Sequence, residues 1–276
     1  MHRLNVFRQS LVTLFCVFIA TAAFAQATST PAKPDQTKAA EPFEPRVGQP
    51  GKDVVWVPTP QALVDKMLDM AKVTPNDFVI DLGSGDGRTV ITAAKRGVKA
   101  MGVEFNPDMV ALSKKAAAKE GVADRATFVE GDLFKADLSK ATVITMFLLP
   151  SINMQLRPSL LNLKPGTRIV ANTFTMEDWQ ADETQSVSDN CSSWCTALLW
   201  IVPAKVQGTW KTPQGNLTLT QEFQTVTGNL NGTAIASGKL NGDQISFTAG
   251  STTYSGRVNG TGTAIAGGNL NATKLN

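Results

Sequence analysis

The feature that most constrains this 276-residue chain is the glycine run DLGSGDG at 81–87, which begins with an acid and follows the apolar segment 78–80. Glycines at alternate positions allow positive φ and let a ligand approach the backbone with no Cβ in the way. A helix-forming stretch, TVITAAKR, begins at residue 89. A strand that enters such a loop before a helix predicts an α/β fold, whose ligands bind at the carboxyl ends of the strands.

Short β-rich runs alternate with helical stretches from about residue 54 to 202, which predicts a Rossmann-like parallel sheet with helices on both faces. Helices are expected at 60–71 and 106–120, with Asn106 as the cap of the second and Pro107 at its first position. The expected strands are 78–80, 100–103, 126–129, 142–147 and 168–171.

From about residue 203 onward the chain is rich in Gly, Thr and Asn, and GTAIASGKLN at 232–241 recurs as GTAIAGGNLN at 262–271. Asn-Gly pairs beginning at 231, 241 and 259 separate alternating runs, which is typical of hairpins. The pattern predicts a small antiparallel β-domain over 204–276 and leaves open whether it closes into a barrel. A surface-recognition role for this tail is one alternative function.

The first 25 residues have the order of a secretory signal, with Arg3 and Arg8 before the apolar run 11–20 and a small-residue site ending at Ala25. We expect cleavage after Ala25 and export to the periplasm or beyond, with an uncleaved membrane anchor as the alternative. The anchor is less favoured because the apolar run is short for a bilayer, and no stable membrane span is expected after cleavage. Residues 26–50 are predicted to be a disordered linker, which leaves 51–203 as the main domain.

Loss of the signal would remove His2, the only histidine, and thereby exclude Ser-His-Asp and Cys-His catalysis as well as His-ligated metals. No metal is expected. The formal charge of +3 would fall to about +1 without Arg3 and Arg8, which gives no indication of a nucleic-acid partner. Cys191 and Cys195 would remain, either as a short-loop disulfide or as two free thiols.

Two further acids follow strands next to the glycine loop in the expected sheet. Glu104 ends the second strand and suits the two ribose hydroxyls of a nucleoside, while Asp132 follows the third and suits an exocyclic amine of adenine. The G-x-G-x-G spacing after Asp81 differs from the G-x-G-x-x-G motif of dinucleotide sites. The backbone amides of those sites bind an anionic pyrophosphate. Three acids at three strand ends favour a cationic nucleoside cofactor, S-adenosylmethionine (SAM).

Over residues 54–202 the chain resembles the class I SAM-dependent methyltransferases. VPTPQALVDKML at 57–68 followed by DLGSGDGR at 81–88 is most similar to the protein-lysine methyltransferases that include the mitochondrial enzymes acting on ATP synthase and on the ADP/ATP carrier. The resemblance implies methyl transfer to a protein lysine and a segment, 57–60, that folds over SAM. The residues expected to contact SAM are Val57, Pro58, Thr59, Asp81, Gly83, Ser84, Gly85, Gly87, Glu104, Phe105, Asn106, Asp132 and Leu133.

The methyltransferase region lacks tyrosine, so a pocket wall would have to use Trp56, Phe105, Phe147, Phe174 or Trp179. The fourth strand ends in Leu149-Pro150 without the Asn/Asp-Pro-Pro-Tyr/Phe tip of many DNA and glutamine methyltransferases, which disfavours those substrates. No general base is evident. The candidates for a substrate contact are Phe147, Pro150, Asp178 and Trp179. An exported protein that binds a SAM-like ligand with little or no catalysis is a further alternative.

Overall fold

The computed structural model describes residues 43–275, so the expected signal segment and residues 26–42 of the expected linker lie outside the described residues. Residues 43–50, which the prediction assigned to that linker, include a turn at 47–48 and a bridge between Pro50 and Val55. Trp56 pairs with Gly48 and Gln49 through backbone hydrogen bonds of 2.8 and 2.9 Å, because a positive φ at Gly48 turns the chain back on itself. No helix within 43–275 is long and apolar enough to cross a bilayer.

A seven-stranded sheet lies at the centre of the first domain, and its strands follow the order β3-β2-β1-β4-β5-β7-β6. The first five strands are parallel, as predicted, whereas β7 runs antiparallel to both β5 and β6. The strands are β1 (Phe78–Leu82), β2 (Lys99–Glu104), β3 (Ala126–Glu130), β4 (Val143–Met146), β5 (Arg168–Asn172), β6 (Glu183–Ser186) and β7 (Thr196–Ile201).

Helices cover both faces of this sheet because neighbouring strand residues point to opposite sides. Val79 and Val143 belong to the core under α1, α2 and α3, whereas Ile80 and Ile144 belong to the core under α4. The Asn106 side chain caps α3 as predicted, because it accepts hydrogen bonds from the backbone amides of Asp108 and Met109. The helices are α1 (Gln61–Met70), α2 (Arg88–Lys95), α3 (Pro107–Lys119) and α4 (Pro150–Leu160).

The tail folds into a closed eight-stranded barrel, which answers the question that the hairpin pattern left open. Its interior is filled by side chains that include Trp210, Leu217 and Phe247, all buried. The strands are β8 (Gly208–Thr212), β9 (Gly215–Glu222), β10 (Thr225–Leu230), β11 (Thr233–Asn241), β12 (Gln244–Ala249), β13 (Thr252–Val258), β14 (Ala264–Ala266) and β15 (Ala272–Lys274).

The barrel packs against the segment between β5 and β6. The Phe223 ring stacks on Trp179 with centroids 5.9 Å apart and planes 13° from parallel. The Gln224 amide donates a 2.8 Å hydrogen bond to the carbonyl oxygen of Gln180. The barrel therefore supports the segment that follows β5, at the same edge of the sheet as the site.

Candidate active site

The glycine loop follows β1 and turns over the neighbouring strand β2. The amides of Gly83 and Ser84 both donate to the carbonyl oxygen of Val103, at 2.9 and 3.1 Å. Gly85 has a φ of +53°, and a Cβ there would lie only 2.5 Å from Nε1 of Trp56. The loop thus needs glycine at this position both for its backbone conformation and for contact with Trp56.

Glu104 connects this loop to the start of α3. One carboxylate oxygen accepts a 2.9 Å hydrogen bond from the amide of Gly85, and the other accepts one of 2.9 Å from the amide of Asn106. Each carboxylate oxygen retains a lone pair beyond these bonds. Glu104 lines the cavity, so it can hold the loop in place and still accept hydrogen bonds from ribose hydroxyls.

Asp81 lies near the end of β1, the middle one of the five parallel strands, and is buried. Burial raises the pKa of its carboxyl group to about 7, an effect strengthened by the nearby charges of Asp86 and Glu104 and opposed by the hydrogen bond from Thr145. That bond, from the Thr145 hydroxyl, is 2.6 Å long. A cation bound beside Asp81 would favour its ionised form.

Asp132 is paired with a lysine that the sequence did not point to. Nζ of Lys52 lies 2.9 Å from one carboxylate oxygen, and the amide of Phe134 donates to the other at 3.0 Å. The hydrogen bond from Lys52 holds the pKa of Asp132 below its usual range. Lys52 also lies 5.0 Å from the centre of the Phe105 ring. These contacts place Lys52 across the end of the cavity expected to take adenine.

The segment 49–59, here called the strap, covers the glycine loop. Arg88 donates a 3.0 Å hydrogen bond to the carbonyl oxygen of Thr59 and pairs with Asp86, while the Asn172 amide reaches the Thr59 hydroxyl at 3.4 Å. Trp56 packs against the loop at Gly85. The strap is thus fixed at its end to both the loop and β5.

The far end of the cavity is aromatic and follows β4 and β5. Phe147 and Phe174 lie with centroids 6.0 Å apart, and Trp194 contacts both, with centroids at 6.0 and 5.3 Å. Trp194 belongs to a short loop closed by a disulfide between Cys191 and Cys195, so the pair that the sequence left undecided is joined. Trp194 was not among the sequence candidates, and its position beside the cysteines was the only available signal.

The structure brings most of the sequence-predicted residues to one cavity. All of those expected to contact SAM line it except Gly87, the residue before α2, where an added Cβ would lie 2.7 Å from the Phe128 ring and 2.8 Å from Cβ of Ser113. Pro60 is likewise outside the lining residues. Lys52 and Trp194 also line the cavity, and Thr145 binds Asp81. The sequence singled out none of the three, because each acts through contacts between distant segments.

The candidates for a substrate contact separate into two groups. Phe147 lines the cavity, whereas Pro150 is the first residue of α4 and does not. Asp178 pairs with Arg157 at the surface. Trp179 is fully buried between Trp200 and the barrel, so it is a core residue and not the pocket wall that was predicted.

The fold and the cavity define the class I methyltransferases: a parallel sheet with an antiparallel β7, a glycine loop after β1, and acids at the ends of β1, β2 and β3. The family model of the ANTKMT methyltransferase domain matches residues 81–183. A solved structure named as an RNA methyltransferase from Salinibacter ruber, in complex with S-adenosyl-L-homocysteine, is 45% identical with a TM-score of 0.51, covering 54% of this chain and 96% of that one. SAM is the cofactor of this class.

Curated relatives identify the family. A protein-lysine N-methyltransferase of Saccharolobus islandicus is 47% identical over 139 residues, covering 49% of this chain and 86% of that protein. A human enzyme named as a lysine N-methyltransferase of ATP synthase is 35% identical over 128 residues, and this chain spans 54% of its length. This chain belongs to the SAM-dependent protein-lysine N-methyltransferase family.

Proposed function

We propose that this protein transfers methyl groups from SAM to lysine side chains of a protein substrate. The observation that carries the proposal is the division of the cavity between acids at one end and aromatic rings at the other. A cationic nucleoside suits the acidic end, and an amine that must react in its neutral form suits the apolar end. The names of the relatives, which include lysine methyltransferases of two different proteins, support the same acceptor class.

The residues present fit SAM. Glu104 and Asp132 offer acceptors for hydroxyl and amino groups, Asp81 lies where a cation would favour its ionised form, and the glycine loop leaves room for close approach. When bound, SAM supplies a methyl group on a positively charged sulfur. The lysine ammonium would lose its proton to solvent, and the neutral nitrogen would take that methyl group while the electrons of the broken C–S bond stay on sulfur.

The chain contributes mainly by positioning and by excluding water. The lining residues that follow β4 and β5 or precede β7 are Phe147, Leu148, Leu149, Ile152, Phe174 and Trp194, none of which ionises. Among the aliphatic members of this set, Leu148, Leu149 and Ile152, loss of water lowers the pKa of an ammonium group, so a neutral amine forms more readily. The strap lines the opposite side of the cavity.

The test has two stages, with the mature protein. Calorimetry should detect SAM binding that is lost when Asp81→Ala and Glu104→Ala are combined. Incubation of a lysate with SAM carrying a labelled methyl group should then place the label on lysine, as found by mass analysis of peptides. RNA is the competing acceptor, since the Salinibacter relative is named for it. Label found only in RNA, and removed by ribonuclease, would overturn the proposal.

We also propose that the protein is exported through cleavage of residues 1–25. The charged, apolar and small-residue order of that segment supports export, and so does the Cys191–Cys195 disulfide, since such bonds persist in oxidising compartments. An exported enzyme would need SAM in the same compartment. Fractionation followed by N-terminal analysis tests the proposal: a periplasmic or secreted form beginning at Gln26 is expected, and an intact N-terminus in the cytoplasm would refute it.

A further inference from the structure

A disulfide-closed loop carries an aromatic side chain to the far end of the cavity. The five residues from Cys191 to Cys195 form a covalent ring, and Trp194 within it has a φ of +59°, a conformation that L side chains rarely adopt. The Trp194 side chain is nevertheless 43% exposed. An exposed indole held in an uncommon backbone conformation by a covalent ring is a feature that packing of the core does not explain.

The rings of Phe147, Phe174 and Trp194, here called the aromatic trio, form one continuous surface. Their centroids are 5.3 to 6.0 Å apart, so the rings touch one another and leave no gap between them for a ligand. A ligand would lie against the side that lines the cavity. Ring faces attract ammonium groups and still exclude water.

The order of strands places this surface where an acceptor would enter. Along the edge of the sheet, Asp132 follows β3, Glu104 ends β2, the glycine loop follows β1, and Phe147 follows β4. Three strand spacings, about 14 Å, separate the ends of β3 and β4. A nucleoside with its adenine at Asp132 and its ribose at Glu104 therefore directs its remaining groups toward the aromatic trio.

We propose that the aromatic trio binds the ammonium end of the acceptor lysine, and that the disulfide holds Trp194 in place for this purpose. The inference rests on the proposed function and adds a means of control. A dithiol reductant that donates two electrons and two protons converts the disulfide to two thiols. The loop is then free to release Trp194, whereas Phe147 and Phe174 stay on the ends of β4 and β5. Acceptor binding is thus coupled to the redox state of the compartment.

This loop lies outside the part of the chain that the family model matches, which ends at residue 183. The lysine ligand itself is identified by chemistry, because a flexible apolar stem with a cationic end matches an aromatic surface at the mouth of an apolar cavity. Methylated products keep their positive charge, so they bind the same surface. Cys191 and Cys195 are positioning residues, since they act only through Trp194.

The test measures binding without requiring turnover. The probe is N-acetyl-trimethyl-lysine amide, titrated into the S-adenosylhomocysteine complex of the oxidised protein, with its neutral carbon isostere as the matched control ligand. Trp194→Ala should weaken binding of the cationic probe about tenfold. Ser192→Ala, an exposed residue in the same loop, should leave binding unchanged. Equal binding of the isostere to the wild-type protein would overturn the cationic recognition.

The redox arm compares the wild-type protein with two variants before and after reduction by dithiothreitol. Reduction should weaken probe binding to the wild-type protein, and Cys191→Ser with Cys195→Ser should weaken it without reductant. Trp194→Ala should show no further effect of the reductant. Unchanged binding in the reduced wild-type protein, with S-adenosylhomocysteine still bound, would overturn the role of the disulfide.

A separate measurement distinguishes this inference from the proposed function. If the wild-type protein binds the probe as expected but methylates no lysine, the proposed function fails and the binding site stands. If lysine is methylated and neither Trp194→Ala nor reduction raises KM for a lysine peptide, the inference fails and the proposed function stands. The expected result is a raised KM for the peptide with little change in kcat.

Discussion

The two ends of the cavity are built from different chemical groups and from different kinds of local structure. The acidic end uses side chains at the ends of consecutive parallel strands, held by backbone amides such as that of Gly85 on Glu104. The aromatic end uses side chains that meet from three separate segments, one of them the disulfide loop. The sheet itself fixes the positions of the acidic side chains. The positions of the aromatic side chains depend on how the later part of the chain folds back.

This difference predicts that substitutions at the two ends separate cofactor binding from acceptor binding. The largest effect is expected for Glu104→Ala, which removes the anchor of the glycine loop together with the acceptor for ribose hydroxyls. Lost charge-assisted hydrogen bonds of roughly 1.5 to 3 kcal/mol correspond to about a ten- to hundredfold loss of SAM affinity by calorimetry. Glu104→Gln keeps one acceptor and should lose less. A Glu104→Gln variant that binds SAM as tightly as the wild-type protein would argue against a role for the carboxylate charge.

A smaller effect at the same end is expected for Gly85→Ala. The new methyl group would collide with Trp56 at a backbone position with positive φ, so it should displace the strap and weaken SAM binding about tenfold. Gly121→Ala has a comparable φ of +68° but open space around the position. It should reduce the free energy of unfolding with unchanged SAM affinity, and a matching loss of affinity would refute the clash as the cause.

At the aromatic end, Phe147→Ala should raise KM for a lysine peptide about fivefold through lost contact with the acceptor. Its SAM affinity should stay near that of the wild-type protein. Phe43→Ala is a matched control, because Phe43 is exposed and lies outside the cavity lining. A similar loss of SAM affinity and acceptor affinity in the Phe147 variant would show that the two ends are not independent.

The pH dependence of SAM binding should report on Asp81, whose pKa of about 7 lies well above the model-peptide value. A cationic ligand binds best when Asp81 is ionised, so affinity should increase severalfold between pH 6 and 7.5. In the unliganded protein the stability linked to Asp81 is lost as pH rises toward 7, because the folded state holds a proton that the unfolded state releases near pH 4. Asp81→Asn should flatten both dependences.

The smallest effect on either ligand is expected for Trp179→Phe, because the residue is a core member and not part of the cavity. A smaller ring beside Trp200 and Phe223 should lower the free energy of unfolding by about 1 to 3 kcal/mol. Chemical denaturation measures that loss. A change in KM for the lysine peptide under native conditions would instead indicate that Trp179 contacts the substrate.

Sequence was sufficient for the acidic end and insufficient for the aromatic end. Asp81, Glu104 and Asp132 follow strands whose parallel order can be inferred from the alternation with helices, so their meeting was predictable. Trp194 lies between β6 and β7, two antiparallel strands that the pattern did not reveal. Trp179 was assigned wrongly for a related reason: a tight turn between Met176 and Trp179, with positive φ at Glu177, places Trp179 in the core beside Trp200, and sequence does not show that turn.

The small antiparallel β-domain predicted for the tail was confirmed, because Asn-Gly turns at short intervals are local signals. Closure of the barrel depends on pairing between β8 and β15, which lie at opposite ends of the tail. The sequence did not reveal Lys52 because its role also depends on a long-range contact: its partner Asp132 is 80 residues away.

The stacking of Phe223 on Trp179 means that the barrel cannot be treated as a detachable module. Arg157 lies 5.3 Å from the Phe223 ring and also donates to the carbonyl oxygen of Met176, so three segments share one packed junction. A chain shortened before the barrel would leave Trp179 uncovered, on an apolar surface prone to aggregation. Swapping this tail between relatives would therefore succeed only if the junction were exchanged with it.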